Sequence, residues 1–185
     1  MNAKECLLQR RSCRKYKDER LPRAVIREIV DMARFAPSWH NTQIVRYTVI
    51  DDKSLKCEIA EHGLLGHVYN AKTLSRAAAV AVISYVTGLS GREDGRFATP
   101  KKDAWEMFDA GCAVQSFCLA ARECGVGTCI LGVFDGEYIR ERLRLPADQQ
   151  IACLVAMGYP EEWKTAPPRR EADDILSFCD GFGKT

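Results

Sequence analysis

Apolar positions along the chain follow two periods, and the changes between them predict its elements. Val25, Ile26, Ile29, Val30 and Ala33 recur at three- and four-residue spacing, as in a helix with one face against a core. Leu21-Pro22 opens that helix, since proline suits a first helical turn. Ala36-Pro37 closes it, because proline disfavours helical geometry in the residue before it. Residues 2–9 predict a shorter helix ahead of a basic run. Arg46 to Asp51 alternates with the two-residue period of a strand, and a helix near 53–62 follows, broken by Gly63 and Gly66. Ala77 to Val86 (AAAVAVISYV) is apolar on both faces, which predicts a central strand covered by helices on both sides. Ala104 to Cys124 is apolar around most of a helical circumference and predicts the central helix of the core, capped by Gly125. A helix at about 135–143 and a strand from Gln150 to Met157 follow. Beyond Pro160, Pro167 and Pro168, the tail carries Arg169 and Arg170 and ends in a short acidic helix.

Strands and helices mix here without regular βαβ alternation, so the pattern predicts an α+β fold rather than a doubly wound sheet. A chain of 185 residues with 46% hydrophobic content suits a single domain over 1–185. Gly125-Val126-Gly127 follows a helix and lacks the third glycine of a dinucleotide-binding turn, which argues against a Rossmann domain. The polar stretch from Thr87 to Asp103, with three glycines and a proline, is long for a simple connection and predicts a lid or substrate loop at 87–103.

Composition narrows the function classes. Lys and Arg total 27 against 25 Asp and Glu, a net charge of +2 that gives no field for a nucleic-acid or membrane partner. No apolar stretch is long enough to span a bilayer, and MNAKECLLQRRSCRKYK lacks a secretory apolar region, so a cytoplasmic location is expected. Nine cysteines without a C-x-x-C pair, and His40, His62 and His67 without zinc-ligand spacing, predict reduced thiols and no metal. Cys112, Cys118 and Cys124 are expected to fill gaps on the buried helix.

Three segments carry candidate chemistry. Arg10-Arg11-Ser12-Cys13-Arg14 packs three guanidinium groups and a hydroxyl into five residues beside a helix end, an array able to grip a phosphate through charge-assisted hydrogen bonds. On its own the run equally describes a solvated basic face. Pro37 to Gln43 offers the amides of Asn41 and Gln43 for the polar edge of a heteroaromatic ring and Trp39 as a flat apolar surface, although Ser and Asn near Pro are also ordinary turn formers. Gly127 to Gly132 has small residues that let a ligand approach the backbone, or that make a tight turn into a strand.

Taken in order, these segments resemble the nitroreductase family over nearly the whole chain. Arg10-Arg11-Ser12-Cys13-Arg14-Lys15-Tyr16 matches the family's Arg-Arg-Ser-x-Arg opening and its following aromatic. Ala36-Pro37-Ser38-Trp39-His40-Asn41-Thr42-Gln43 matches its Ala-Pro-Ser-x-x-Asn-x-Gln motif, and Asp109-Ala110-Gly111 through Gln115 to Gly125-Val126-Gly127-Thr128-Cys129 resembles its central helix and Gly-rich turn. The resemblance implies a mixed, mostly antiparallel sheet flanked by helices, in an intertwined homodimer that holds FMN at the subunit interface. It implies that Arg10, Ser12 and Arg14, with Arg11 in the same array, bind the phosphate and ribityl chain. Pro37, Ser38 and Asn41, with Trp39 and Gln43 in the same loop, then approach the flavin from the other subunit. Ile130, Leu131 and Gly132 would lie along the ring, Asn70 near its pyrimidine edge, and Arg169 would reach back to the phosphate. The chain departs from the family at Pro167 and Glu171, where a Lys and a Pro are usual, which brings in Arg170 as a substitute for the phosphate grip; Lys72 stands where a basic residue is expected.

The implied activity is hydride transfer from NADH or NADPH through FMN to nitroaromatic, quinone or similar small acceptors, with ping-pong kinetics and no catalytic triad. The alternatives are dehalogenation or dehydrogenation on the same fold, and an FMN-binding redox sensor or flavin carrier without turnover.

Overall fold

The computed structural model describes residues 2–179. Its centre is β2 (Ala79–Val86), where only the final residue escapes burial. Alternation along this strand builds two cores at once. Ala79, Ala81 and Ile83 point to one face, and Val80 and Val82 to the other. β2 pairs antiparallel with β1 (Val45–Ile50) on one side and with β6 (Gln149–Gly158) on the other, and β6 pairs antiparallel with β5 (Gly127–Leu131). The sheet order is therefore β1-β2-β6-β5. Among the described residues its one parallel element is a bridge from Ser12 to Thr128 on β5.

Helices close both faces of the sheet. Over the first lie α2 (Arg23–Ala33) and the 20-residue α5 (Ala104–Glu123), with Ile26, Ile29, Phe117 and Ala121 against Ile83, Val155 and Met157. Over the second lie α3 (Lys53–His62), α4 (Val68–Arg76) and α6 (Gly136–Arg142), with Ile59, Leu74 and Ile139 against Val82 and Leu154. This is the expected α+β architecture with a mostly antiparallel sheet. The short α1 (Ala3–Gln9) leans on the end of α5, where Arg122 donates to Gln9 Oε1 at 2.8 Å.

Several elements differ from the sequence expectation. Residues 68–76, where no helix was predicted, form α4: His67 caps it by accepting the Asn70 N–H at Nδ1, and the buried Lys56 ammonium donates to the carbonyls of Ala77 and Ala78 just past its end. The segment expected as a glycine-rich turn is strand β5. Within 87–103 sits a small hairpin of β3 (Arg92–Glu93) and β4 (Arg96–Phe97). The acidic segment of the tail is a single 3-10 turn, Ala172–Asp174.

Candidate functional site

The basic run leaves α1 and is laid along the open edge of the sheet. Arg10 ends the helix with its N–H on Cys6 O at 2.9 Å, and Cys13 N donates to Thr128 O at 2.8 Å. Tyr16 fixes the far end, donating its hydroxyl to Cys13 O at 2.6 Å, while Lys17 N donates to Tyr159 O at 2.9 Å. Cys13 and Tyr16 therefore point inward, and Ser12 and Arg14 outward. The fit requires a glycine on β5, because a Cβ at Gly127 would stand 2.8 Å from Cys13 Cβ and 3.0 Å from Cys13 Sγ. Gly127→Ala is expected to lift the run off the edge, weakening anion binding about tenfold or more, roughly one charge-assisted hydrogen bond. Adding Cys13→Gly, which removes the opposing Cβ, should recover most of that loss; a phosphate or flavin titration of the single and double variants measures both.

The three guanidinium groups of this run are not equivalent. Arg11 folds back to donate to the carbonyls of Leu8 and Arg10, satisfying acceptors that the end of α1 leaves open. Arg10, half-buried, and Arg14, exposed, make no hydrogen bond or ion pair among the described residues, and neither does the Ser12 hydroxyl. Beside them, β5 ends with Leu131 in the core and Ile130 exposed at 46%. At Gly132 nothing lies within 4 Å of where a side chain would start. This edge therefore offers two uncommitted cations, a hydroxyl and an open, partly apolar shelf. Asn70, in the first turn of α4, is half-buried with its side-chain amide unpaired among the described residues; Lys72 is exposed.

The second predicted segment lies elsewhere. Ser38 leads into a 3-10 turn, Trp39–Asn41, and His40, Asn41 and Gln43 all have positive φ (44°, 57° and 50°) without being glycine. Such backbone costs on the order of 1–3 kcal/mol per residue and persists only when neighbours enforce it. Here Asp109, 2% exposed on α5, does so by accepting the Trp39 N–H at 3.0 Å and the Ser90 hydroxyl at 2.6 Å through one oxygen. Ser38 Oγ accepts the Gln43 N–H at 3.0 Å, and Trp39 Nε1 donates to Arg92 O at 3.1 Å. Pro37 and Asn41 are exposed at its surface. Glu106, one turn earlier on α5, accepts the Gly88 N–H at 2.6 Å, so both loops hang on two buried carboxylates. Sequence reasoning did not assign them this role. Their signal was two acids three residues apart in an otherwise apolar helix.

The two halves are far apart in one chain. Asp109 grips the loop near the start of α5, whereas Arg122 holds Gln9, next to Arg10, in its last turn. At about 1.5 Å rise per residue, the 13 intervening steps along α5 separate them by roughly 20 Å. The two segments are therefore anchored at opposite ends of α5.

The model for the nitroreductase family matches residues 7–159, which include both segments and the whole sheet. The chain belongs to the nitroreductase family. Among its relatives, an NADH dehydrogenase of Thermus thermophilus is 30% identical with 88% of each chain covered, and an oxygen-insensitive NADPH nitroreductase of Helicobacter pylori is 26% identical with 95% of each covered. Among solved structures, an FMN-dependent nitroreductase of Clostridium difficile superposes with a TM-score of 0.74 at 26% identity, covering 96% of this chain and 98% of that one.

The nitroreductase-family match stops before the tail, which carries the last two predicted contacts. Arg122 stacks on Trp163 with its guanidinium 3.6 Å from the ring and so holds the tail against α5. Further on, Arg169 donates to the carbonyls of Pro167 and Pro168 at 3.3 and 3.2 Å, and Arg170 is exposed; neither is brought to Arg10 or Ser12 by any hydrogen bond. All nine cysteines are free thiols. Burial pushes the Cys13 thiol up despite its arginine neighbours, the reverse of what a reactive, redox-sensing cysteine needs. On the predicted gap-filling helix, Cys118 is fully buried, whereas Cys112 and Cys124 are half-exposed. Among the described residues no three His, Cys, Asp or Glu side chains are grouped to hold a metal ion, and no helix is long and apolar enough to cross a membrane.

Proposed function

We propose that this chain is an FMN-dependent NAD(P)H oxidoreductase acting as a homodimer on small aromatic electron acceptors. The observation that carries the reading is the β5 edge, where the unpaired guanidinium groups of Arg10 and Arg14 and the Ser12 hydroxyl adjoin an open shelf at Ile130–Gly132. That donor set fits FMN: two cations and a hydroxyl for a dianionic phosphate and its polyol, then a flat apolar surface for a ring. The names of the Thermus and Helicobacter relatives and the FMN dependence of the Clostridium protein support the same assignment.

In this reading Arg10, Ser12 and Arg14 bind the phosphate and ribityl chain, while Arg11 keeps α1 in place behind them. Ile130, Leu131 and Gly132 seat the ring, and the lack of a side chain at Gly132 leaves its backbone N–H accessible from the open side. Asn70 supplies an amide near the ring's polar edge, and Arg169 or Arg170 closes on the phosphate once the tail shifts. A second copy brings Pro37, Ser38, Trp39, Asn41 and Gln43 over the exposed face, a reading supported by the anchoring of that loop and of the basic run at opposite ends of α5. Exposed apolar residues on α1 suit that association: Leu7 is 59% exposed and Leu8 61%. When bound, FMN supplies two-electron chemistry, accepting hydride from NADH or NADPH and passing electrons to a nitro compound, quinone or related acceptor. Donor and acceptor take turns at one open face, which gives ping-pong kinetics.

The test is spectroscopic. Purified protein should carry a flavin absorption band, bleach with a reduced nicotinamide and regain colour with an acceptor; a colourless protein that takes up no added FMN would refute the proposal.

A further inference from the structure

The loop that Asp109 holds is the start of a ladder of aromatic rings. Trp39 stacks on His40 at 5.1 Å with 7° between the planes, and meets Trp105 of α5 at 4.9 Å and 55°. Trp105 in turn takes Phe108 edge-on at 5.2 Å and 73°. The 87–103 segment is tied to the same rings through Trp39 Nε1 on Arg92 O and Trp105 Nε1 on Thr99 Oγ1 at 2.8 Å. Its turn at Gly91 is fitted to them, since φ is +74° and a Cβ there would sit 2.4 Å from Lys102 O and 3.0 Å from the Trp105 ring. Despite this support the outer ring of the ladder is open to solvent: Phe108 is 58% exposed, with Trp39 and Trp105 half-buried behind it.

One cation lies on the ladder and another on the exposed Phe97 ring of the hairpin tied to it. Lys101 Nζ is 5.1 Å from the Trp105 centroid, and the Arg92 guanidinium carbon is 4.0 Å from that of Phe97. Neither forms an ion pair among the described residues. The hairpin's Glu93 faces His40 instead, at 3.5 Å. Arg92 gives one hydrogen bond, to Gly95 O at 3.1 Å, and its buried Nε has no partner. Flat rings offer stacking surface to an electron-poor aromatic, and unpaired cations held over them attract a negative substituent on that aromatic.

We propose that the Trp39–Trp105–Phe108 ladder, with Lys101 and Arg92, is an acceptor-binding wall selecting planar aromatics that carry an acidic group, such as a carboxylate or sulfonate. The inference rests on the proposed reductase reading, which places the Trp39 loop over the reacting face of FMN. Stacking supplies general affinity for flat acceptors. The cations supply the choice among them, through charge pairing that salt screens.

The experiment compares 4-nitrobenzoate with its neutral counterpart 4-nitrobenzamide on the FMN-loaded protein, by quenching of tryptophan fluorescence and by kcat/KM with a reduced nicotinamide. The benzoate should bind about fivefold more tightly, the scale of an exposed charge pair, and the ratio should fall towards one in high salt. Lys101→Ala should lower the binding ratio, adding Arg92→Ala should bring it close to one, and Lys101→Glu should lower it further than Lys101→Ala; Trp105→Leu should weaken both ligands together. Equal binding of the two ligands by the unaltered protein, or a ratio unmoved by Lys101→Glu, overturns the proposal. Because the quenching arm needs no turnover, a protein that binds the benzoate selectively yet reduces neither compound would support the wall and refute the reductase reading.

Discussion

Arg10→Ala is expected to give a folded protein that loses FMN on gel filtration, with affinity lowered about 10- to 100-fold. A hydrogen bond to a charged group contributes roughly 1.5–3 kcal/mol net, which sets that range. The half-buried position of Arg10 favours its upper end, since partial exclusion of water strengthens a charge-assisted bond. No partner within the described residues loses a contact when its guanidinium is removed, so the thermal midpoint without cofactor should barely move. Arg11→Ala should behave oppositely. Its guanidinium serves the carbonyls of Leu8 and Arg10, so its loss frays α1 and lowers stability more than it changes flavin binding directly. Fluorescence titration of apoprotein with FMN separates the two. Unchanged affinity in Arg10→Ala would remove that residue from the phosphate site, and an equal loss in both variants would mean the run acts only as a diffuse positive field.

Much of the scaffold on which this depends was legible in the sequence, and the reason is periodicity. Residues 77–83 alternate into two cores and so had to be apolar throughout, while Ile26 and Ile29 of α2 sit on the one face their spacing marks. The elements missed are those whose order comes from partners distant in sequence. Helix α4 is only nine residues long, buries only Thr73 and Leu74 and begins at a histidine cap, which is not among the usual start signals. Strand β5 has five residues, too few to declare a period, and its glycine is explained only by Cys13, more than a hundred residues earlier. The hairpin within 87–103 has two-residue strands in a polar stretch, too short to show a period; its local signal is the Asp94-Gly95 turn, with φ of 48° and 75°, and Trp39 and Trp105 hold the segment in place. For the site, the three motifs announced themselves as clusters of suitable groups. What the clusters did not reveal was which arginines are spent on the fold, or that two carboxylates of the central helix hold the loops.

Asp109→Ala tests that last point and should be the most damaging single change for activity. One buried oxygen accepts both the Trp39 N–H and the Ser90 hydroxyl, so removing it strands two donors at about 1–3 kcal/mol each. The same change frees a loop that stores strain at His40, Asn41 and Gln43, so the loop has reason to leave its native path once the clamp is gone. The sheet and its two cores lie elsewhere, and the chain should still fold, with a lower urea midpoint. Activity should fall further, about 100-fold in kcat/KM, the scale expected when positioning groups shift by an ångström or so. Asp109→Asn keeps the size and can set its one carbonyl oxygen where both donors point, losing only the charge that strengthens the two bonds, and should fall between the unaltered protein and Asp109→Ala. Excess FMN distinguishes this defect from that of Arg10→Ala: added cofactor restores a protein whose phosphate grip is weak, but cannot rebuild a loop that no longer closes over the ring. Full activity in a merely destabilised Asp109→Ala protein would show that the strained loop is an ornament of the fold and takes no part in the site.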